Sequence, residues 1–307
     1  MTGQSKQRPE GPTGERAAGP AGERAVGPAG ERAAGPAGER AVGPAGERGP
    51  DGPRISGLAI APVKGTRLLS VEALAVGRCG VRENRRFFLV DERRRMVNAK
   101  DLGALQSIVS AYDDDRRRLS LTFPDGRTLE GEVSLDGELT ASFYGRPLPA
   151  RAVAGEWSAA ISEHVGRRLQ LVEAGECGAV DRGRAGAFTL ISRGSLERLA
   201  ERAGCARVDV RRFRMLIELD GVDAHAEDGW VGRTIRAGDA VLRARGHVGR
   251  CVITNRDPDS GEVTLQTLRI LSDYRRQVNT TEPIAFGIHG EVLEPGTIRV
   301  GDAVTLA

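Results

Sequence analysis

The chain has 307 residues, enough to bury one large or two modest hydrophobic cores. Its formal net charge is only +3 and aromatic residues make up 4%, so neither a nucleic-acid surface nor a membrane surface is indicated as a partner. No apolar run reaches the roughly 18 residues that a spanning helix needs, and no apolar leader segment is seen at the N-terminus. We therefore expect a cytoplasmic protein.

Residues 1–53 are expected to form a disordered tail. Residues 11–48 repeat an eight-residue unit, Gly-Pro-Ala-Gly-Glu-Arg followed by Ala-Ala or Ala-Val. A collagen triple helix needs glycine at every third position, and the extra pair breaks that period each time. Val26 and Val42 are the only large apolar side chains between Met1 and Ile55, too few to bury a core. A collagen-like or partner-binding stalk and a misassigned start site remain alternatives.

Short β-strands follow the tail. Residues 85–91 and 95–99 are predicted to form a hairpin around Glu92-Arg93-Arg94. A second hairpin is predicted over 119–123 and 128–133, because Pro124-Asp125-Gly126 is a typical turn sequence. The arginine triplets of this region then lie at turns, where solvated charge is expected.

Three helices are predicted further along the chain, over 157–165, 195–203 and 265–274. Apolar residues recur there at helical spacing, and Ser195 can cap the second helix. Together with the strands, these helices predict an α+β fold that is predominantly β.

The four cysteines, Cys79, Cys177, Cys205 and Cys251, are widely separated and form no Cys-x-x-Cys pair. This spacing argues against a zinc knuckle, an ordinary iron–sulfur cluster or a dense disulfide framework. A reducing cytoplasm is the simplest compartment for such a set.

Cys251 lies in the most informative segment, residues 246–261. It stands beside Arg250 at the start of a short apolar run that an Asp-Pro-Asp-Ser-Gly turn closes. Positive charge stabilises a thiolate, which is the form that acts as a soft metal ligand or a nucleophile. A buried structural cysteine at the start of a strand is the commoner role for this residue type.

Several further motifs occur in a consistent order along residues 54–307. They are Ala61-Pro62-Val63-Lys64-Gly65, Arg85-Arg86-Phe87-Phe88-Leu89-Val90, Arg212-Phe213-Arg214-Met215-Leu216-Ile217, Glu227-Asp228-Gly229-Trp230 and Pro295-Gly296-Thr297-Ile298-Arg299-Val300-Gly301-Asp302. With the Cys251 segment, this set resembles the MOSC family, named for the C-terminal domain of molybdenum cofactor sulfurases. Within that family it is most similar to the amidoxime-reducing components and their bacterial relatives.

The resemblance implies a MOSC-type β-barrel with flanking helices, preceded by a β-rich MOSC N-terminal domain. We expect the N-terminal domain over 54–172 and the MOSC domain over 173–307. It also implies a molybdenum–pterin cofactor (Mo-molybdopterin), with Cys251 as metal ligand and catalytic residue and His289 facing the open metal position. The implied cofactor-binding residues are Lys64, Gly65, Arg86, Ala185, Gly186, Arg214, Gly249 and Arg250.

This chain departs from the family pattern at several of these positions. Gly65 replaces a serine, Met215-Leu216 replaces Pro-Asn, and Ala185-Gly186 replaces Thr-Ser. His289 stands in place of an aromatic hydroxyl. Hydrogen bonds to the pterin are therefore expected to come partly from glycine backbone amides.

The function implied by the resemblance is two-electron reduction of N-hydroxylated small molecules. Since the chain carries no cluster-forming cysteines, a separate electron-transfer protein of ferredoxin or cytochrome type, with its reductase, is expected to supply the electrons. The alternatives are a molybdenum cofactor carrier or sulfur-transfer module without turnover, and a cofactor-free scaffold.

Deletion of residues 1–53 is expected to leave the melting temperature and the cofactor content unchanged, because the broken glycine period neither trimerises nor packs. Thermal unfolding and sedimentation of the full-length and shortened proteins measure this. A trimer that depends on the tail would contradict it.

Overall fold

The structure, a computed structural model, describes residues 52–175, 177–179 and 181–307. The predicted disordered tail lies outside these residues except for Gly52 and Pro53. The Pro53 carbonyl accepts a hydrogen bond from the Val304 amide at 2.8 Å, so a tail deletion that spares the fold ends at residue 51. Within the described ranges, no helix combines the length and apolarity needed to cross a membrane.

The described residues form an α+β fold dominated by strands, as predicted. The strands are β1 (Arg54–Ile60), β2 (Leu69–Val71), β3 (Ala73–Val76), β4 (Phe87–Val90), β5 (Met96–Val97), β6 (Val109–Asp113), β7 (Arg118–Thr122), β8 (Thr128–Glu132), β9 (Leu135–Phe143), β10 (Arg146–Val153), β11 (Gln170–Ala174), β12 (Phe188–Ser192), β13 (Ile217–Asp220), β14 (Thr234–Ala237), β15 (Ala240–Gly249), β16 (Ala285–Glu294), β17 (Gly296–Arg299) and β18 (Val304–Leu306). The helices are α1 (Trp157–Val165), α2 (Arg193–Ala203) and α3 (Thr267–Arg275).

The largest sheet has eight strands in the order β18-β14-β15-β16-β12-β13-β1-β2. Strands from both predicted domains take part in it, since β1 pairs antiparallel with β13. β3 likewise pairs with β17 near the C-terminus. β11 pairs with β10 and β4 and runs across the predicted boundary at residue 172. Strand pairing therefore crosses that boundary, and the domain limits stay a prediction.

A five-stranded sheet in the order β5-β4-β11-β10-β9 forms the centre of the N-terminal half. Its strand β4 reads Phe-Phe-Leu-Val, and all four side chains are fully buried, because both faces of the sheet are covered. β4 and β5 form the first predicted hairpin, and β7 and β8 form the second. The turn before β5 is held by Asp91, whose Oδ1 accepts the Arg93 and Arg95 amides, each at 2.9 Å.

The three predicted helices are confirmed. α1 has the predicted bounds, and α3 runs from Thr267 to Arg275 with Leu271 fully buried. α2 begins two residues earlier than predicted, and its N-cap is Ser192, whose Oγ accepts the Ser195 amide at 3.1 Å. The prediction that Ser195 is the cap is therefore wrong. Ser195 instead lies in the first turn and donates to Glu227 Oε1 at 2.8 Å.

Cys79 and Cys177 form a disulfide across 98 residues of sequence. The widely spaced cysteines did not predict this pair, because their proximity arises only when the turn after β3 meets the segment after β11. Disulfides are rare in a reducing cytoplasm, so the cysteines no longer support the expectation of that compartment.

Replacing Ser192 with alanine is expected to lower the free energy of unfolding by about 2 kcal/mol, because a helix cap and a buried hydrogen bond are lost together. Ser192 is fully buried and donates its hydroxyl to Glu227 Oε2 at 2.8 Å. Urea unfolding measures the change, with exposed Ser134→Ala as the matched control. Equal midpoints for the two variants would contradict this reading.

A cation-lined cavity with an exposed thiol

Cys251 lies on the surface of a turn rather than in a strand. β15 ends at Gly249, and Cys251 has extended backbone geometry (φ −128°, ψ 177°) just before a 3₁₀ helix, Val252–Asn255. Its thiol is free and exposed. A buried structural cysteine at the start of a strand is therefore excluded for this residue, while both roles that need an accessible thiol remain open.

Arg250 anchors this turn. Its Nε donates to the Phe286 carbonyl at 2.8 Å and its Nη1 donates to the Phe213 carbonyl at 2.9 Å, while Nη2 also contacts the Phe286 carbonyl. Burial and the neighbouring Arg182 charge lower the pKa of the Arg250 guanidinium. The guanidinium is thus tied to backbone carbonyls, and its charge is not offset by a carboxylate at ion-pair distance within the described part of the chain.

A second anchor of the turn is Glu282, which sequence reasoning missed. Its Oε2 accepts the Gly249 amide at 2.8 Å, and its carboxylate pairs with Arg182 at 2.5 Å. The Gly249 amide therefore donates to a protein carboxylate in this structure, and its contact with the cofactor stays a prediction. A Cβ at Gly249 would lie 2.6 Å from Glu282 Oε2, so glycine permits this close approach.

Lys64 is 7% exposed and lies with Gly65 in the turn that follows the isolated β-bridge between Val63 and Phe87. Its Nζ lies 2.6 Å from Asp181 Oδ1. Burial lowers the pKa of the Lys64 ammonium to about 8, although the Asp181 charge acts in the opposite direction. Gly65 has a φ of +106°, which favours glycine, and a Cβ there would meet the Ala99 amide at 3.3 Å.

Arg85 lines the cavity, whereas the predicted residue Arg86 does not. Arg86 forms an ion pair with buried Glu173 at 2.7 Å and lies outside the lining, so its cofactor contact stays a prediction that the cavity does not support. Arg85 lines the cavity, lies 3.7 Å from Asp181, and donates to the Arg214 carbonyl at 3.3 Å. Arg85 has a φ of 55°, and this left-handed turn before β4 cannot be read from the motif.

Arg214 lines the cavity, and its contact with the cofactor stays a prediction. It follows the 3₁₀ helix Val210–Phe213 in a left-handed conformation (φ 54°, ψ 41°), and β13 begins three residues later. Its Nη2 donates to the Thr66 carbonyl at 2.7 Å. Burial, and then the charge of Arg85, lower the pKa of the Arg214 guanidinium.

Ala185, Gly186 and His289 are not among the residues that line the cavity, and their roles toward the cofactor stay predictions. Ala185 and Gly186 belong to a 3₁₀ helix, Gly183–Gly186, behind it. His289 is buried in β16, where its Nδ1 lies 2.7 Å from the Ala185 carbonyl. Burial lowers the pKa of the His289 imidazole. In this part of the chain, Asp181 and Arg182 line the cavity instead.

The cavity has a volume of about 590 Å³, within the range common for small-molecule sites. Its lining includes Cys251, two carboxylates and seven cationic side chains. The carboxylates are Asp181 and Glu282, and the cations are Lys64, Arg85, Lys100, Arg146, Arg182, Arg214 and Arg250. Such an excess of positive charge favours an anionic ligand, and arginine forks match the geometry of phosphate.

A cation-lined cavity that opens to one exposed thiol defines an anion-binding site with a soft metal ligand or nucleophile. The family profile described as MOSC N-terminal beta barrel domain matches residues 52–166, and that described as MOSC domain matches residues 178–305. The chain belongs to the MOSC-domain family, so the predicted family is confirmed.

Three curated relatives extend this result. The chain is 28% identical over 281 residues to mitochondrial amidoxime-reducing component 1 of Mus musculus, covering 82% of each chain. It is 35% identical over 126 residues to the Homo sapiens protein of that name, which is 39% of this chain and 36% of that one. It is 25% identical over 288 residues to molybdenum cofactor sulfurase of Oryza sativa subsp. japonica, covering 82% of this chain but 34% of the relative.

Asp181→Asn is expected to destabilise the protein at neutral pH and to have little effect near pH 2. The neighbouring cations hold the pKa of Asp181 at about 2 against the opposing effect of burial, below the ordinary 3.8. A lowered carboxyl pKa contributes stability above about pH 4, and that contribution is lost as pH falls towards 2. Thermal melts from pH 7 to pH 2 measure it, with exposed Asp239→Asn as control. A difference independent of pH would contradict the assignment.

Proposed function

We propose that this protein is a molybdenum-cofactor protein that reduces N-hydroxylated small molecules by two electrons, with electrons from a separate donor protein. The observation that carries the proposal is the exposed Cys251 thiol at a cavity lined by seven cations. The relative named for amidoxime reduction supports the reaction, and the relative named for molybdenum cofactor sulfuration supports an association with that cofactor.

The residues of the cavity fit a molybdenum–pterin cofactor by the chemistry of their donors. A thiolate is a soft ligand of the kind that molybdenum accepts, and one protein sulfur suffices when the dithiolene of the cofactor brings the others. When bound, this group supplies two-electron redox chemistry at the metal. In this proposal Cys251 is the metal ligand, and Glu282 and Arg250 hold its turn in place.

The phosphate of such a cofactor requires cations that are not already neutralised. Arg214 and Arg250 donate to backbone carbonyls and keep their full positive charge for a ligand. Lys64 and Arg85 share a single carboxylate, Asp181. We propose that these four side chains hold the phosphate and the pterin, with Gly65 providing close backbone approach.

A second function is favoured by the exposure of Cys251. An accessible thiol also suits a protein that carries a cofactor or transfers sulfur without turnover, and the similarity to molybdenum cofactor sulfurase supports this alternative. Reduction of benzamidoxime by the purified protein with reduced methyl viologen separates the two functions. Product formation supports the reductase, whereas bound cofactor without product supports the carrier.

Cys251→Ser is expected to abolish molybdenum retention while the fold is kept, because an alcohol is a poor soft-metal ligand at neutral pH. Metal analysis of the purified protein and its melting curve measure the two effects. Cys205→Ser is the matched control, since Cys205 is also a free, exposed cysteine but lies outside the cavity. Molybdenum retained at the parental level in Cys251→Ser would rule out the ligand assignment.

A further inference from the structure

The cavity has an aromatic rim residue that neither the motifs nor the family resemblance singled out. Tyr144 lies at the tip of the hairpin between β9 and β10, lines the same cavity as Cys251, and is 52% exposed. Its φ is 49° and that of Gly145 is 79°, so both tip residues are left-handed, as in the tightest hairpin turns. A bulky residue rarely occupies this region, and asparagine or glycine is the usual choice.

The phenol of Tyr144 is held in place from two sides. The edge of the Phe143 ring packs against it with centroids 5.1 Å apart. Asn98 donates from Nδ2 to the Tyr144 hydroxyl oxygen at 3.3 Å and accepts the Lys100 amide at its Oδ1 at 2.7 Å. Because the Tyr144 oxygen accepts in this bond, its own proton remains available to a ligand in the cavity.

Two exposed cations, Lys100 and Arg146, line the same cavity as Tyr144, and Lys64 Nζ lies 5.7 Å from the centroid of the Tyr144 ring. Lys100 follows Asn98 by two residues, and Arg146 begins the strand after the tip. Arg146 donates to the backbone carbonyl of Asp181 at 3.0 Å, and neither cation forms an ion pair within the described ranges. The rim therefore presents an ammonium, a guanidinium and a hydroxyl, which are all donors.

We propose that Lys100, Tyr144 and Arg146 bind the carboxylate of a planar substrate, so that the compound reduced at this site is an anionic N-hydroxylated molecule. The inference rests on the proposed function and narrows its substrate class. A carboxylate accepts from all three donors, and the exposed ring of Tyr144 offers a face for a planar group.

The rim donors would also suit the phosphate of the cofactor. The structure favours the substrate carboxylate as their ligand. Arg85 and Arg214 are half-buried beside Asp181, and so are less accessible to solvent than the rim cations. Lys100 and Arg146 are exposed, as expected for a ligand that enters and leaves.

The test is calorimetric titration of the cofactor-loaded, full-length protein with benzamidoxime and with 4-carboxybenzamidoxime. We expect the carboxylated probe to bind about tenfold more tightly, as one net charged contact implies, and this preference to shrink at high salt. Lys100→Met and Arg146→Met should each lower the ratio of the two affinities about threefold, and the double variant should bring it close to one. Exposed Arg236→Met, outside the cavity, is the control and should leave the ratio unchanged.

Tyr144 gives a separate readout. Tyr144→Phe should lower the same ratio, because only the hydroxyl donor is lost. Tyr144→Gly should lower the ratio further, because the hydroxyl and the ring face are both lost. A merely structural tyrosine would not make the ratio of the two affinities depend on its hydroxyl.

Two results would overturn the inference. One is equal affinity of the parent for both probes. The other is loss of molybdenum and pterin from the Lys100 and Arg146 variants, which would assign the rim to the cofactor phosphate. A parent protein that prefers the carboxylated probe but reduces neither compound would refute the proposed reductase and leave the anion-binding rim standing.

Discussion

The structure depends on how it accommodates positive charge at the cavity wall. Lys64, Arg85, Arg214 and Arg250 are buried or half-buried, and one carboxylate, Asp181, pairs with two of them. Removing a charge from water is costly unless hydrogen bonds or an opposite charge replace the water. The lowered pKa of Lys64 records that cost, because burial outweighs the attraction of Asp181.

Backbone carbonyls take over much of the role of water for the arginines. Arg214 donates to the Thr66 carbonyl, and Arg250 donates to those of Phe213 and Phe286. These carbonyls belong to segments far apart in sequence, so each guanidinium also joins chain segments around the cavity. Carbonyls carry only partial negative charge, so an anionic ligand would still be stabilised there. Any such ligand would stabilise the folded protein through mass action.

The elements that could be predicted from the sequence are those whose signals are local. The Phe87–Val90 run, the turn after Asp91 and helix α1 follow from apolar patterning and turn chemistry, and the structure places them as expected. Cys251, Lys64 and Arg214 were found because they belong to recognisable motifs. Arg85 was missed in favour of Arg86, because a left-handed φ at Arg85 decides which side chain turns inward, and no local pattern encodes it.

Other site residues were missed because their roles arise only from tertiary contacts. Glu282 and Arg182 are 100 residues apart in sequence and meet at the cavity beside Gly249. The Cys79–Cys177 disulfide has the same origin. His289 contacts the backbone carbonyl of Ala185, a partner that is 104 residues away in sequence and that no local pattern reveals.

The two halves of the chain contribute different chemistry to one site. The C-terminal half provides the thiol, on a turn fixed by Glu282 and Arg250. The N-terminal half provides Lys64 within the wall and Tyr144 on the rim. A turn that is rigidly anchored suits a metal ligand, because coordination tolerates little displacement. Tyr144, on an exposed hairpin tip with a left-handed φ of 49°, is placed where it can contact an exchanging molecule. Under the proposed function, the anchored wall would hold the cofactor and the exposed rim would contact the substrate.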